Sequence, residues 1–292
     1  MIYETAQDWL AAPHKRVALF GMSGLGKTRI SDLLRGTGDW FHYSVDFRIG
    51  TRYMGEHIVD NFKREAMRNP FLRDLLMSDS IYIASNISFN NLAPLSTYLG
   101  KPGDPAKGGI PFEDYIRRQR EHRAAEIAAT RDALQFSAKA ADIYGYAHFI
   151  CDTSGSLCEV VTPGDAADPV LSALTERILP VWIRGDTAHA DALVERFRRA
   201  PKPMYYQEDF LRAIWAEYLD ANAVTEAEVD PDDFVCWGFR RLVDHRLPIY
   251  AAIARNWGVT VTAEAVADVG DARDFEQLIA AALTDRAAGA QV

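Results

Sequence analysis

Eight consecutive residues, Gly21-Met22-Ser23-Gly24-Leu25-Gly26-Lys27-Thr28, follow the spacing G-x-x-x-x-G-K-[ST] and constrain the fold more than any other stretch of the chain. They stand between the apolar run Val17-Ala18-Leu19-Phe20 and a helix-like stretch over 29–34, so the order strand, tight loop, helix is predicted. To meet the oxygens of a polyphosphate with several backbone N–H groups at once, a chain must curl closely around them. Glycines permit this because no Cβ stands in the way. Lys27 would then reach the β- and γ-phosphates, Thr28 would offer its hydroxyl to Mg²⁺, and the following helix would aim its positive N-terminus at the anion.

The rest of the chain is consistent with a large α/β core. Its 292 residues are 48% hydrophobic and 11% aromatic, enough to bury a sizeable interior, and its formal charge of −9 argues against non-specific binding to nucleic acid or to an anionic membrane. Cys151, Cys158 and Cys236 are too few and too irregularly spaced for a disulfide framework or a zinc site, and the seven histidines show no metal-ligand spacing. Residues 1–5 do not open a signal peptide, and no apolar run is long enough to span a bilayer. A cytoplasmic protein is expected.

Short apolar runs predict strands over 16–20, 41–46, 147–152, 179–184 and 258–263, with helical connections between them. That alternation predicts a doubly wound, mostly parallel five-stranded sheet, with its ligand at the carboxyl ends of the strands. About a hundred residues separate the second and third strands, so a mainly helical insertion is expected over 51–146, the core being 1–50 and 147–292. Within the insertion, helices are predicted over 53–68, 71–77 and 111–141, a short strand over 81–84 and a long loop over 86–107. The apolar stripe of the 111–141 helix is thin and turns polar over 119–123, which predicts partial exposure. Later helices are expected over 186–199, 208–221, 230–257, with an interruption near Pro248, and 271–283.

Three groups of residues carry candidate chemistry. Asp46 and Arg48, at the expected end of the second strand, could orient an attacking hydroxyl and clamp an anion; otherwise Asp46 caps a helix and Arg48 forms a surface ion pair. Asp152 ends the third strand and is followed by Thr153-Ser154-Gly155-Ser156, the Walker B arrangement in which a carboxylate holds Mg²⁺. Arg196, Arg198 and Arg199 could form a cationic lid, or simply match the negative end of a helix dipole. Arg117, Arg118, Arg120 and Arg123 lie among acidic residues and read as a solvated helix face.

On these residues the chain resembles the small-molecule kinases of the P-loop superfamily, in particular the shikimate-kinase-like and adenylylsulfate-kinase-like branches. The likeness rests on the loop 21–28, on Asp46-Phe47-Arg48, and on Arg246-Leu247-Pro248-Ile249-Tyr250 with the last strand and helix; the insertion has no counterpart. The resemblance implies ATP, Mg²⁺ and a transferable γ-phosphoryl group, and the acceptor does not carry over; the leading expectation is a kinase of a small hydroxylated or anionic metabolite, with Lys27, Asp46 and Asp152 as catalytic residues and Mg²⁺ held through Thr28 and Asp152. The alternative is a regulatory ATPase or nucleotide-dependent switch whose insertion binds a protein partner.

Overall fold

The computed structural model describes residues 2–289. Five strands form one sheet: β1 (Arg16–Phe20), β2 (Trp40–Ser44), β3 (His148–Asp152), β4 (Leu179–Arg184) and β5 (Val259–Thr262). Their order is β2-β3-β1-β4-β5, and every adjacent pair is parallel. The fold is therefore α/β and doubly wound around an all-parallel five-stranded sheet, with a large, mainly helical insertion between β2 and β3. β1 lies mid-sheet, its Leu19 in register with Asp152 of β3 on one side and Val181 of β4 on the other. Being covered on both faces, β1 reads as a continuous apolar run, and Val17 to Phe20 are all buried.

By packing, the chain divides into two compact units. The first runs up to Val45, takes in Thr130–Ala200 and resumes from Cys236; the second comprises Asp46–Ala129 and Pro201–Val235. In the first unit, helix Lys27–Arg35 follows the loop and buries Ile30 and Leu34. Helix Ala6–Ala11 starts with a capping box between Thr5 and Asp8, and its buried Trp9 donates through Nε1 to the Glu276 carbonyl of helix Ala272–Ala287 at 2.8 Å.

Several boundaries differ from expectation for identifiable reasons. β2 stops at Ser44, and the chain turns directly into helix Val45–Arg48 and the π-helical turn Ile49–Tyr53, so Asp46 stands two residues beyond the strand. Helix Pro231–Trp257 runs through Pro248 without interruption. An interior proline costs about 3 kcal/mol. Buried Leu242, Val243, Tyr250 and Ile253 on either side anchor the helix, each fully buried large side chain contributing about 1.5–3 kcal/mol.

In the second unit, residues 81–84 form no strand, and the expected loop over 86–107 contains helix Ala93–Leu99 and the 3₁₀ turn Pro105–Lys107. The polar stretch of helix Phe112–Asp142 is partly exposed, as its pattern predicts: Arg120 and Arg123 face solvent, while Gln119 and His122 are buried, Gln119 donating to the Met204 carbonyl at 3.2 Å and accepting from the Tyr206 N–H at 2.9 Å, and the His122 ring stacking on Tyr205. Arg118 likewise leaves the solvated face. It lies over the Tyr98 ring, bonds the Tyr98 carbonyl and reaches Asn61 at 3.2 Å, whereas Arg117 and Arg120 pair with Glu121 and Glu208 as surface charges do.

Candidate functional site

The loop 21–28 leaves the carboxyl end of β1, and glycine is required there by more than flexibility. Gly24 has φ +85° and Gly26 φ +99°, a region in which residues with a Cβ are strained. A Cβ on Gly24 would come within 2.9 Å of the Arg196 guanidinium, and one on Gly26 within 2.9 Å of Val266. At the loop's start, a Cβ on Gly21 would lie 2.7 Å from the Ile183 carbonyl of β4.

Lys27 is the first residue of its helix, yet its side chain folds back into the loop. Its ammonium is buried and donates to the carbonyls of Gly21 at 2.8 Å and Met22 at 3.0 Å. Thr28 donates its hydroxyl to Oδ2 of Asp152 at 2.9 Å. Burial raises the Asp152 carboxyl above the usual value; the Lys27 charge and the Thr28 hydrogen bond oppose the rise without cancelling it. A half-buried carboxylate hydrogen-bonded to a hydroxyl offers the oxygen donors that a hard divalent cation takes, so Thr28 and Asp152 fit Mg²⁺ chemically.

Beyond Asp152 the chain is pinned to β1 by Thr153, whose N–H and hydroxyl both donate to the Leu19 carbonyl, at 3.1 and 2.9 Å. On the other flank, Arg29 donates to the carbonyls of Val266 at 3.0 Å and Val269 at 2.7 Å, tying the helix after the loop to the segment after β5. Sequence reasoning passed over this arginine, because a cation in a first helical turn carries no motif.

The three candidate lid arginines separate. Arg196 lies against Gly24 of the loop. Arg198 instead lines a cavity of about 440 Å³ with Asp191, Val194, Glu195 and Arg240, and Arg199 pairs with Glu195 at 3.2 Å. Of the three, Arg196 is the one that lies against loop 21–28. Asp46 and Arg48 belong to the second unit, where the Arg48 guanidinium lies 5.7 Å from the Tyr53 ring centroid.

The same region holds charged residues that the motif reading missed. Glu159, in the turn Leu157–Glu159, is buried and accepts from Arg246 Nε at 2.7 Å, with His245 Nε2 3.5 Å away. Burial pushes the Glu159 carboxyl up, but the charges of Arg246 and His245 outweigh it and hold it below the usual value. The available signal was a lone acid within the apolar stretch Leu157-Cys158-Glu159-Val160-Val161.

Strand order, a glycine-rich loop after the central strand and a carboxylate ending its neighbour together define a parallel α/β protein that carries the G-x-x-x-x-G-K-[ST] pattern at the end of β1. No protein-family model matches the chain, and no curated protein matches it. Among solved structures it is similar to shikimate kinase from Bacteroides thetaiotaomicron at 12% identity, over 90% of this chain and 94% of that one, with a TM-score of 0.37. The fold assignment rests on the strand order and the loop rather than on that likeness. Among the described residues, no helix is long and apolar enough to cross a membrane.

Proposed function

We propose that the chain is a Mg²⁺-dependent, ATP-using phosphotransferase acting on a small hydroxylated or anionic metabolite. The observation that carries this reading is the hydrogen bond from Thr28 to Asp152 beside an inward-folded Lys27, a donor set already assembled for a metal-bound polyphosphate. The Lys27 ammonium, held in place by the Gly21 and Met22 carbonyls, would be available to the phosphates of a bound nucleotide as a charge already buried and positioned. Magnesium, held by the Thr28 hydroxyl and the Asp152 carboxylate, would neutralise part of the phosphate charge. Arg196 adds a cation at the open side of the loop. Phosphoryl transfer draws most of its rate from such positioning and charge stabilisation.

The acceptor side is assigned to Asp46 and Arg48, which immediately follow β2, the strand beside β3. The second unit contains an open cavity of about 720 Å³ lined by Arg52, Glu56, His57, Asp60 and Lys63 among others, a polar lining suited to a hydroxylated or charged metabolite. The test is ADP release measured with ATP and Mg²⁺ against a panel of such metabolites. Stimulation by one acceptor supports the kinase; hydrolysis indifferent to every acceptor rejects it.

One observation favours the alternative of an ATPase switch. Helix Pro70–Met77 buries none of its residues, and Phe71, Met77 and the nearby Tyr82 are 69%, 73% and 88% exposed. Its Asn69 cap, with the side chain accepting from two backbone N–H groups, contributes about 1 kcal/mol where packing contributes little. An apolar surface of this kind suits a protein partner.

A further inference from the structure

The Gly155 carbonyl, in the loop after β3, is gripped by two donors from one helix turn. Arg246 Nη1 reaches it at 3.0 Å, and the Tyr250 hydroxyl donates to it as well. Neither side chain is free to wander. Arg246 is held by the buried Glu159, and the Tyr250 ring is fully buried with its centroid 6.2 Å from Phe20 at the end of β1 and 6.4 Å from Trp182 of β4. The Trp182 indole in turn borders Gly21, where an added Cβ would lie 3.2 Å from it.

Gly155 itself abuts the phosphate loop. A Cβ built on it would stand 3.4 Å from the Ser23 hydroxyl and 3.9 Å from the Gly21 carbonyl. That carbonyl is the one holding Lys27, whose ammonium serves the β- and γ-phosphates. Gly155 thus borders the end of the cradle where the terminal phosphate would lie.

A buried ion pair is poor evidence of a contribution to stability, because desolvation offsets much of the attraction and apolar residues of similar volume often do as well. Its directional output here is the placement of one glycine. We propose that Tyr250 and Arg246, the latter oriented by Glu159, are positioning residues that fix the Gly155 backbone against Ser23 and so set the loop's preference for a triphosphate over a diphosphate. This rests on the reading of loop 21–28 as a nucleotide site.

Tyr250→Phe removes one hydroxyl and keeps the ring packing. The expected result is an ATP affinity, measured by calorimetry with Mg²⁺, lowered about fivefold, the worth of one ordinary hydrogen bond, with ADP affinity changed by less than about twofold. Arg246→Lys should fall in the same direction, and amide exchange over 152–156 in the nucleotide-free protein should quicken in Tyr250→Phe while β1 is unchanged. Equal losses for both nucleotides, no loss for either, or unaltered exchange over 152–156 would each overturn the proposal. A wild-type protein that binds neither nucleotide would instead remove the nucleotide reading, and the exchange measurement would still decide whether Tyr250 positions Gly155.

Discussion

The Thr28 hydroxyl donates to Oδ2 of Asp152 at 2.9 Å, joining the first turn after the phosphate loop to the end of β3. The two residues are 124 positions apart, and the bond exists because β1 and β3 are neighbours with Leu19 opposite Asp152.

Asp152→Asn should separate folding from metal use. Because burial disfavours the ionised form of Asp152, a neutral amide that still accepts from Thr28 removes a desolvation cost. The nucleotide-free variant should melt at or above the wild-type temperature, while Mg²⁺ stimulation of ATP turnover falls about a hundredfold, which is about 2.7 kcal/mol of charge stabilisation. Calorimetric melts and metal titrations of turnover check both halves; a lowered melting temperature with full stimulation contradicts the assignment.

The same carboxyl gives a pH dependence of definite sign. Its folded pKa lies above the usual 3.8, so the proton is retained to higher pH in the fold than in the unfolded chain. Mg²⁺ binding needs the ionised form and should weaken as pH falls toward that raised value. The contribution of Asp152 to stability runs the other way, being lost as pH rises from the unfolded to the folded pKa. Mg²⁺ affinities measured from neutral pH down into the acid range, in wild type and Asp152→Asn, should converge at the acid end.

Glu159 has the opposite linkage. Its folded pKa is depressed, so its stabilisation is present above the unfolded pKa and disappears as pH falls through the folded one. Glu159→Gln leaves the Arg246 charge buried without its counter-charge and should destabilise by about 3–5 kcal/mol. The double variant Glu159→Gln, Arg246→Met should recover part of that loss in urea unfolding; equal instability of single and double variants would show that the charge imbalance is not the cause.

Of the candidate lid arginines, only Arg196 should matter to nucleotide. Arg196→Ala is expected to weaken ATP binding by about tenfold, the scale of a charge-assisted contact, with Arg198→Ala and Arg199→Ala within about twofold of wild type. Gly24→Ala should mimic the Arg196 loss, since its Cβ would displace the guanidinium and strain a backbone at φ +85°. Fluorescent ATP-analogue titrations distinguish the four variants.

For the acceptor side, Asp46→Asn is expected to leave ATP affinity within about twofold while lowering acceptor-dependent ADP release about a hundredfold or more, the contribution of a general base. Unchanged turnover would take Asp46 out of the reaction.

The glycine loop and all five strands were legible because their constraints are local: glycines where φ is positive, an unbroken apolar run in central β1, and short apolar-rich or alternating runs such as Val259-Thr260-Val261-Thr262 elsewhere. The insertion was less so. Residues 81–84 have the composition of a strand but no neighbour to pair with, and Ala93–Leu99 was hidden by Pro94, which suits the start of a helix as well as a loop. Gln119 and His122 look like surface residues until their partners at 204–206 are known, because burial of a polar group is decided by the group it meets. Glu159 and Arg246 stand 87 positions apart, and no spacing rule connects them.

The place of β1 has a mechanical consequence. It is bonded on both flanks, whereas β2 and β5 each have a single neighbour and can fray at lower cost. The loop 21–28 leaves the end of β1, so it stands on the part of the sheet that opens at highest cost. Such a sheet is stiffest beneath its glycine loop and softest at its rim.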